Sequence, residues 1–349
     1  MQKKIYRKSK SIKTIAWILG ALASLFIGYQ VYTYFRGNFF TPSGETVYIY
    51  IHEHATFDDV VKQIEKKTKP RSMASFIALA KSEGYPNKIR TGRYAIKNGM
   101  TNHKLLNNLR KHVQAPVKLT FNNIRTKAQL AGRLSKQLMA DSLTLLSLLN
   151  DSVTDVKLGF NPETVVAMFI PNTYDVLWDI TPVQLLKRMH HEYESFWTDE
   201  RKQKAKKAHF SPVEVATLAS IIEEETNHKA DKPIVAGLYM NRLRLGMPLQ
   251  SCPTIKFALN DFALQRITGV HLRVNSPYNT YKNPGLPPGP IRIPSIESID
   301  AVLNFKPNNY LYMCAKETLN GEHYFAATWA EHKRNADRYA AMMNKRGIH

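Results

Sequence analysis

Apolar residues alternate over Val47–Ile51, then take helical spacing over Thr56–Glu65, where Phe57, Val60, Val61 and Ile64 share one face. The first run predicts a strand and the second a helix. A second helical pattern covers Met73–Ser82 and stops at Gly84, a residue suited to the left-handed turn after a helix. Tyr94–Ile96, a turn at Gly99 and Asn102–Leu109 repeat the strand, turn and helix order. Together they predict a small α+β module over residues 45–112. A further strand at Val117–Phe121 and a helix around Ala128–Leu138 follow. Residues 142–197 read as mainly helical, interrupted by a loop at Phe169-Ile170-Pro171-Asn172-Thr173-Tyr174, where Pro171 and Asn172 break helical spacing.

The best-signposted helix begins at Ser211-Pro212-Val213-Glu214, which combines capping-box spacing with proline at the first helical position. It runs to about Thr226 with Val215, Leu218, Ala219 and Ile222 as its apolar stripe. A second helix starts near Pro233, with Ile234, Val235, Leu238 and Leu245 as its stripe and Gly246 as its C-terminal cap. Loops rich in Pro, Gly, Tyr and Asn follow.

Upstream of residue 45 the pattern changes. Ile15 to Phe35 is 21 residues without a charged side chain, enough helix for about 30 Å, the thickness of a bilayer core. Tyr29, Tyr32 and Tyr34 crowd its far end, where amphipathic rings favour the interface. Lys3, Lys4, Arg7, Lys8, Lys10 and Lys13 precede it, and no acid occurs before Glu45. This predicts a basic cytoplasmic tail (1–14), a single-pass anchor (15–35) in the bacterial cytoplasmic membrane and a linker (36–44), with the remainder outside. A cleaved signal peptide ending at Ala21-Leu22-Ala23 is the rival. The apolar run continues well beyond that point and favours the uncleaved anchor.

The formal charge is +21. A basic surface suits nucleic acid, anionic lipid or an anionic polymer. An outward location disfavours nucleic acid. Cys252 and Cys314 are the two cysteines. An oxidising compartment permits a pair, with two unpaired thiols the equal alternative, and no spacing suits zinc or haem.

Glu223, Glu224 and Glu225 close the helix that opens at Ser211, against the macrodipole, which favours cations at that end. Glu223 follows the small residues Ala216 and Ala219 on its face. Glu225, two positions on, lies about 200° around the helix. The two carboxylates therefore cannot act side by side. An acidic solvated helix end is the plain alternative to a catalytic one.

Leu218-Ala219-Ser220-Ile221-Ile222-Glu223-Glu224-Glu225-Thr226 resembles the signature of the YceG-like endolytic murein transglycosylases. So do Asn241-Arg242-Leu243, Leu249-Gln250-Ser251, Pro253-Thr254, Tyr278-Asn279-Thr280-Tyr281, Gly285-Leu286-Pro287-Pro288-Gly289-Pro290-Ile291 and Tyr310-Leu311-Tyr312. Gly321-Glu322-His323-Tyr324-Phe325 and Glu331-His332 complete an ordered set over residues 211–335. Cys252 departs from the family's usual Asp before Pro-Thr. Ile170-Pro171-Asn172-Thr173-Tyr174 resembles a segment with Phe and Asp in place of Ile170 and Asn172.

The resemblance implies an α+β protein with an N-terminal transmembrane helix, a LysM-like α+β module (45–112) and a mixed α/β catalytic domain (113–349). It implies lytic cleavage of peptidoglycan between N-acetylmuramic acid and N-acetylglucosamine, without cofactor or metal. Peptidoglycan synthases and division or elongation proteins are the implied protein partners. The first glutamate of the E-x-E-T pattern, Glu223, is then the catalytic acid/base, and the mechanism requires burial to keep it protonated. Gln250, Tyr278, Asn279, Tyr281, His323, Asn241 and Glu225 are the candidates for substrate contact. Two other readings stay open. One is a lysozyme-like hydrolase with Glu225, Asp231 or Asp261 as second carboxylate; the other is a non-catalytic glycan-binding scaffold.

Overall fold

The computed structural model of the protein describes residues 14–25, 28, 32, 36–264, 266–318 and 320–346. The uncharged stretch 15–35 lies partly outside the described residues. Residues 14–25 are helical, and no helix among the described residues is long and apolar enough to cross a membrane. The described chain divides into two compact units. The first holds the residues up to Val117 together with Val176–Asp179, and the second holds Lys118–Asp175 and the chain from Ile180 onward.

The first unit contains β1 (Phe39–Phe40), β2 (Val47–Ile51), α1 (Phe57–Lys67), β3 (Lys69–Pro70), α2 (Met73–Ser82), β4 (Gly92–Ile96) and α3 (Asn102–Arg110). Strand β2 pairs antiparallel with β4, Val47 opposite Ile96 and Ile51 opposite Gly92. Thr56 caps α1, its hydroxyl accepting from the Asp59 N–H while the Asp59 carboxylate accepts from the Thr56 N–H. The expected linker at 36–44 is instead part of this unit. Phe39 is fully buried against Phe76, and β1 pairs with β3. An apolar aromatic in a spacer has no reason to face water when a core lies within reach, and burying it is worth about 2 kcal/mol.

The segment Val176–Asp179 also belongs here, which local pattern has no means to show. Trp178 packs edge-on to Tyr50 and His52. Asp179 accepts hydrogen bonds from Thr91 Oγ1 and Gln114 Nε2, both at 2.7 Å, and lies 3.3 Å from His112 Nε2. Burial pushes its carboxyl up, but the bonds from Gln114, Thr91 and His112 outweigh that and hold it below the usual range. Its stabilising contribution is therefore complete above the unfolded value of about 4 and is lost as pH falls through the folded value. Asp179→Asn is expected to cost about 2 kcal/mol at pH 7 and progressively less as pH falls below the unfolded value, measured by urea unfolding across that range.

The second unit is mainly helical. Its order is β5 (Val117–Thr120), α4 (Lys127–Ser135), α5 (Ser142–Leu148), α6 (Ser152–Lys157), β6 (Thr173–Val176), α7 (Pro182–Phe196), α8 (Asp199–Lys207), α9 (Pro212–Glu225), α10 (Lys232–Arg244), α11 (Cys252–Ala258), α12 (Ile296–Leu303), β7 (Tyr312–Ala315), β8 (His323–Ala326) and α13 (Trp329–Lys345). The segment expected as a loop at 169–174 runs into strand β6, with Tyr174 buried and stacked on Phe121. The strands β7 and β8 pair antiparallel, Tyr312 opposite Ala326.

Helix α9 is the centre of this unit. Every residue from Val215 to Ile222 is buried, so the helix is enclosed on all sides rather than along one stripe. Helices α10, α11 and α12 pack against it. On α10, Val235 and Leu238 are buried as expected, but Leu245 is not. It is the residue that ends the helix, and Gly246 follows with φ of 66°, turning Leu245 out to solvent.

Candidate active site

Ser211 and Glu214 cap α9 reciprocally, each side chain bonded to the other's backbone N–H. That start, and the buried run behind it, fix the direction in which each of the last three residues points. Successive side chains separate by about 100°, so the three glutamates fan out. They find three different environments.

Glu223 Oε2 accepts from the hydroxyls of Ser295 and Ser298 and pairs with Lys232 Nζ at 3.1 Å. Glu224 receives a two-pronged bond from Arg125, at 2.7 and 3.0 Å, and a third at 2.7 Å from Arg292. Glu225 has no ion pair among the described residues. Its Oε1 accepts from Tyr239 at 2.8 Å and from Ser251 Oγ at 2.5 Å. The conflict with the macrodipole is thus answered for two of the acids by cations, and left standing for the third.

Electrostatics separate the first and the last of them further. For Glu223, burial raises the carboxyl, but the Ser295 and Ser298 hydroxyls and the charge of Lys232 outweigh it and hold it below its ordinary value. The expectation that Glu223 stays protonated is therefore not met. An ammonium 3.1 Å away and two donated hydroxyls favour the anion. For Glu225, burial dominates. The bonds from Ser251 and Tyr239 and the positive field of His323 and Arg242 offset it only in part, and its carboxyl lies above the ordinary value. A buried carboxylate without a paired cation costs several kcal/mol, and that cost is the cause of the rise.

Glu225 also faces space. A cavity of about 360 Å³ is lined by Glu225, Tyr239, Arg242, Gln250, Cys252 and Tyr281, with Tyr312, Met313, Trp329 and His332 also on its wall. That volume suits a small-ligand site. Among the described residues around it, Glu225 is the one carboxylate. Neither Asp231 nor Asp261 lines it. Asp231 instead accepts from the backbone N–H of His323 and lies 3.1 Å from its Nδ1.

The loop over this cavity is tightly built. Arg242, itself buried, donates to the carbonyls of Pro248 and Leu249, to Gln250 Oε1 and to the Leu311 carbonyl. Gln250 sits at φ of 53°, a left-handed conformation that costs a side-chain-bearing residue about 1 kcal/mol. Its N–H donates to the Thr280 carbonyl, and the Ser251 N–H donates to Thr280 Oγ1. Ser251 occupies the cap position of α11 yet makes no capping bond; its hydroxyl turns to Glu225 instead. The helix gives up a capping bond so that this hydroxyl can donate to one carboxyl group.

Of the substrate-contact candidates, Glu225, Gln250 and Tyr281 meet at the cavity. His323 does not line the cavity; its ring is bonded to Asp231 instead. Three others make contacts within the fold and do not line the cavity. Asn279 is fully buried, its amide donating to the Leu272 and Val274 carbonyls while its oxygen accepts from Tyr281 N–H. Asn241 donates to the carbonyls of Asn308 and Tyr310. Tyr278 packs on Phe257 with centroids 4.7 Å apart, and burial pushes its phenol up to about 12. The proline-rich loop also packs inward, with Ile291 N–H donating to Ser220 on α9.

Cys252 and Cys314 are both free. Cys252 borders the cavity, its sulfur 3.2 Å from the Tyr281 hydroxyl. Tyr239, Ser251, Arg242, Tyr312, Trp329 and His332 join the site without being singled out by sequence reasoning. All but Tyr239 and Trp329 fall inside motif strings already quoted, whereas Tyr239 sits among apolar neighbours that read as core.

Comparisons with known proteins agree in direction. The model of the YceG-like family matches residues 49–338. The endolytic murein transglycosylase of Bacillus subtilis (strain 168) is 37% identical over 168 residues, 48% of this chain and 46% of that protein. The endolytic murein transglycosylase of Streptococcus pneumoniae serotype 2 (strain D39 / NCTC 7466) is 36% identical over 126 residues, 35% of this chain and 23% of that one. The matched segments thus span less than half the length of these curated relatives. The crystal structure of a yceG-like protein from Listeria monocytogenes superposes with a TM-score of 0.56 at 27% identity, covering 83% of this chain and 98% of that one.

Proposed function

The chain belongs to the YceG-like family, and we propose that it cleaves peptidoglycan glycan strands as a lytic transglycosylase with Glu225, not Glu223, as its single acid/base. One observation carries this reading. A carboxyl group that burial raises above its ordinary value stands alone among the acids around a ligand-sized cavity.

The chemistry follows from that arrangement. Glu225 gives its proton to the glycosidic oxygen between N-acetylmuramic acid and N-acetylglucosamine, and C1 of the muramyl ring takes on oxocarbenium character. The carboxylate left behind is held on Oε1 by Tyr239 and Ser251. It then takes the proton of the muramyl C6 hydroxyl, whose oxygen closes on C1. No water enters, and the product ends in a 1,6-anhydro ring. A hydrolase needs a second carboxylate to activate water or to attack C1, and the cavity offers none among its described residues.

Glycan strands incubated with the protein are therefore expected to yield anhydromuramyl ends, one water lighter than reducing ends, by mass spectrometry. Reducing ends in their place would turn the reading to a lysozyme-like hydrolase. Strands left whole would leave the scaffold.

The remaining parts of the reading concern location. The basic tail and the uncharged stretch 15–35 support a single-pass anchor in the cytoplasmic membrane, with the tail in the cytoplasm and the rest outside. The two helices α1 and α2, joined through the short β3 and set between the paired strands β2 and β4, support a LysM-like role in holding glycan. An anchored enzyme reaches nascent strands first, which suits termination of their growth beside wall-building synthases.

A further inference from the structure

Trp329 is a large apolar residue left exposed at the edge of the site. Its side chain is 61% exposed, yet it borders the cavity that holds Glu225. Its position is set by the backbone. Thr328 caps α13, accepting from the Glu331 N–H at 3.3 Å while Glu331 Oε2 accepts from the Thr328 N–H at 3.2 Å, which fixes Trp329 as the first helical residue. Beneath it lie two more rings. The indole stands 5.6 Å from Tyr312 at 65° and 5.3 Å from His332 at 48°, while Tyr312 and His332 stack at 5.2 Å and 20°. The guanidinium of Arg242 lies 5.4 Å from the Tyr312 ring centre.

The His332 ring is suited to such packing, since burial, with the charge of Arg242, pushes its imidazole below the usual value and leaves it neutral at pH 7. Scattered exposed aromatics are ordinary on protein surfaces. An indole braced by two rings at the mouth of a catalytic cavity is different. It is rigid, so binding costs little side-chain entropy, and it offers a broad apolar face.

We infer that Trp329, braced by Tyr312 and His332, is a stacking platform for a pyranose ring of the glycan strand next to the bond that Glu225 protonates. This rests on the reading of the cavity as the glycan site. A pyranose presents C–H groups on its faces and hydroxyl or acetamide groups at its edge. The faces pack on the indole, while the edge meets polar groups such as Gln250, which borders the same cavity. Trp329 thus contributes to holding the strand and contributes little to the proton transfers.

The test uses the full chain carrying Glu225→Gln, so that strands bind without being cut, with peptide-free peptidoglycan glycan strands as the probe. Trp17→Phe is added to remove the indole in the uncharged stretch 15–35. Trp178 and Trp197 are buried, which leaves Trp329 to report binding by a blue shift of its emission. Adding Trp329→Phe is expected to abolish the shift and keep part of the affinity. Adding Trp329→Ala is expected to weaken binding about tenfold. In the chain with Glu225 intact, Trp329→Ala is expected to raise KM about tenfold and to change kcat far less.

Unchanged affinity in Trp329→Ala, with the parent binding normally, overturns the platform and leaves the transglycosylase reading standing. A parent that binds no strands overturns both. An emission shift produced by anionic lipid vesicles and not by strands assigns the indole to a membrane surface and also overturns the proposal.

Discussion

Glu225→Gln is expected to abolish glycan cleavage, by a factor of about 10³, without loss of the fold. The amide keeps an oxygen for Tyr239 and Ser251 to donate to, so the 2.8 and 2.5 Å bonds that orient the group survive. What it loses is the proton. A positioned general acid contributes about 10²–10⁴ in rate, and here one group serves as acid and then as base, so both half-steps suffer. The pH dependence has a definite sign. Cleavage requires the neutral acid, and burial holds Glu225 above its ordinary value, so activity falls as pH rises through that value.

Stability moves differently. A carboxyl with a raised folded value stabilises the protein below its unfolded value of about 4.3 and loses that contribution as pH rises through the folded one. The amide does not titrate, so the variant gains on the wild type as pH rises. Release of anhydromuramyl ends across pH, with melting temperatures of both proteins, measures all of this. If Glu225→Gln cuts at the wild-type rate while a folded Glu223→Gln does not, the acid is Glu223 after all.

The choice between those two glutamates shows where the sequence stops being legible. Helical spacing separates Glu223 from Glu225 correctly, because that follows from 3.6 residues per turn alone. Which of the two meets a cation and which meets a cavity depends on Tyr239, Ser251, Ser295 and Ser298, residues 14 to 75 positions distant in the chain from the glutamates they touch. No local pattern carries that information. The same division recurs elsewhere. The strand at Val47–Ile51 and the helix at Met73–Ser82 fall where their own periodicity puts them. Phe39 in the expected linker, and Trp178 returning to the first unit, answer only to partners far along the chain. Asn279 and Asn241 are hard to read from sequence for a related reason. Buried backbone carbonyls in irregular loops need donors, and a side-chain amide supplies two, so an Asn in a motif is as readily a brace as a ligand contact.

Glu223→Gln is expected to act on stability rather than on chemistry, costing about 3 kcal/mol at pH 7. Lys232 is buried, its side chain 7% exposed, and its ammonium is 3.1 Å from Glu223 and 3.6 Å from Glu297. Removing one partner of a buried pair costs about 3–5 kcal/mol because the other charge is stranded, and Glu297 places this case at the lower end. The same carboxylate holds the hydroxyls of Ser295 and Ser298 at the start of α12, where Ser295 also caps the helix through the Ser298 N–H at 3.2 Å. The effect has a pH signature. Glu223 lies below its ordinary value in the fold, so its contribution is complete above the unfolded value of about 4.3 and is lost as pH falls through the folded one. Urea midpoints for wild type and Glu223→Gln should therefore differ widely at pH 7 and converge at low pH. Adding Lys232→Met removes the stranded charge and should recover much of the loss, since neighbouring charges are not additive. At a temperature where both proteins are folded, Glu223→Gln should retain most of its cleavage rate. A variant with a wild-type urea midpoint and no cleavage would instead make Glu223 a catalytic group.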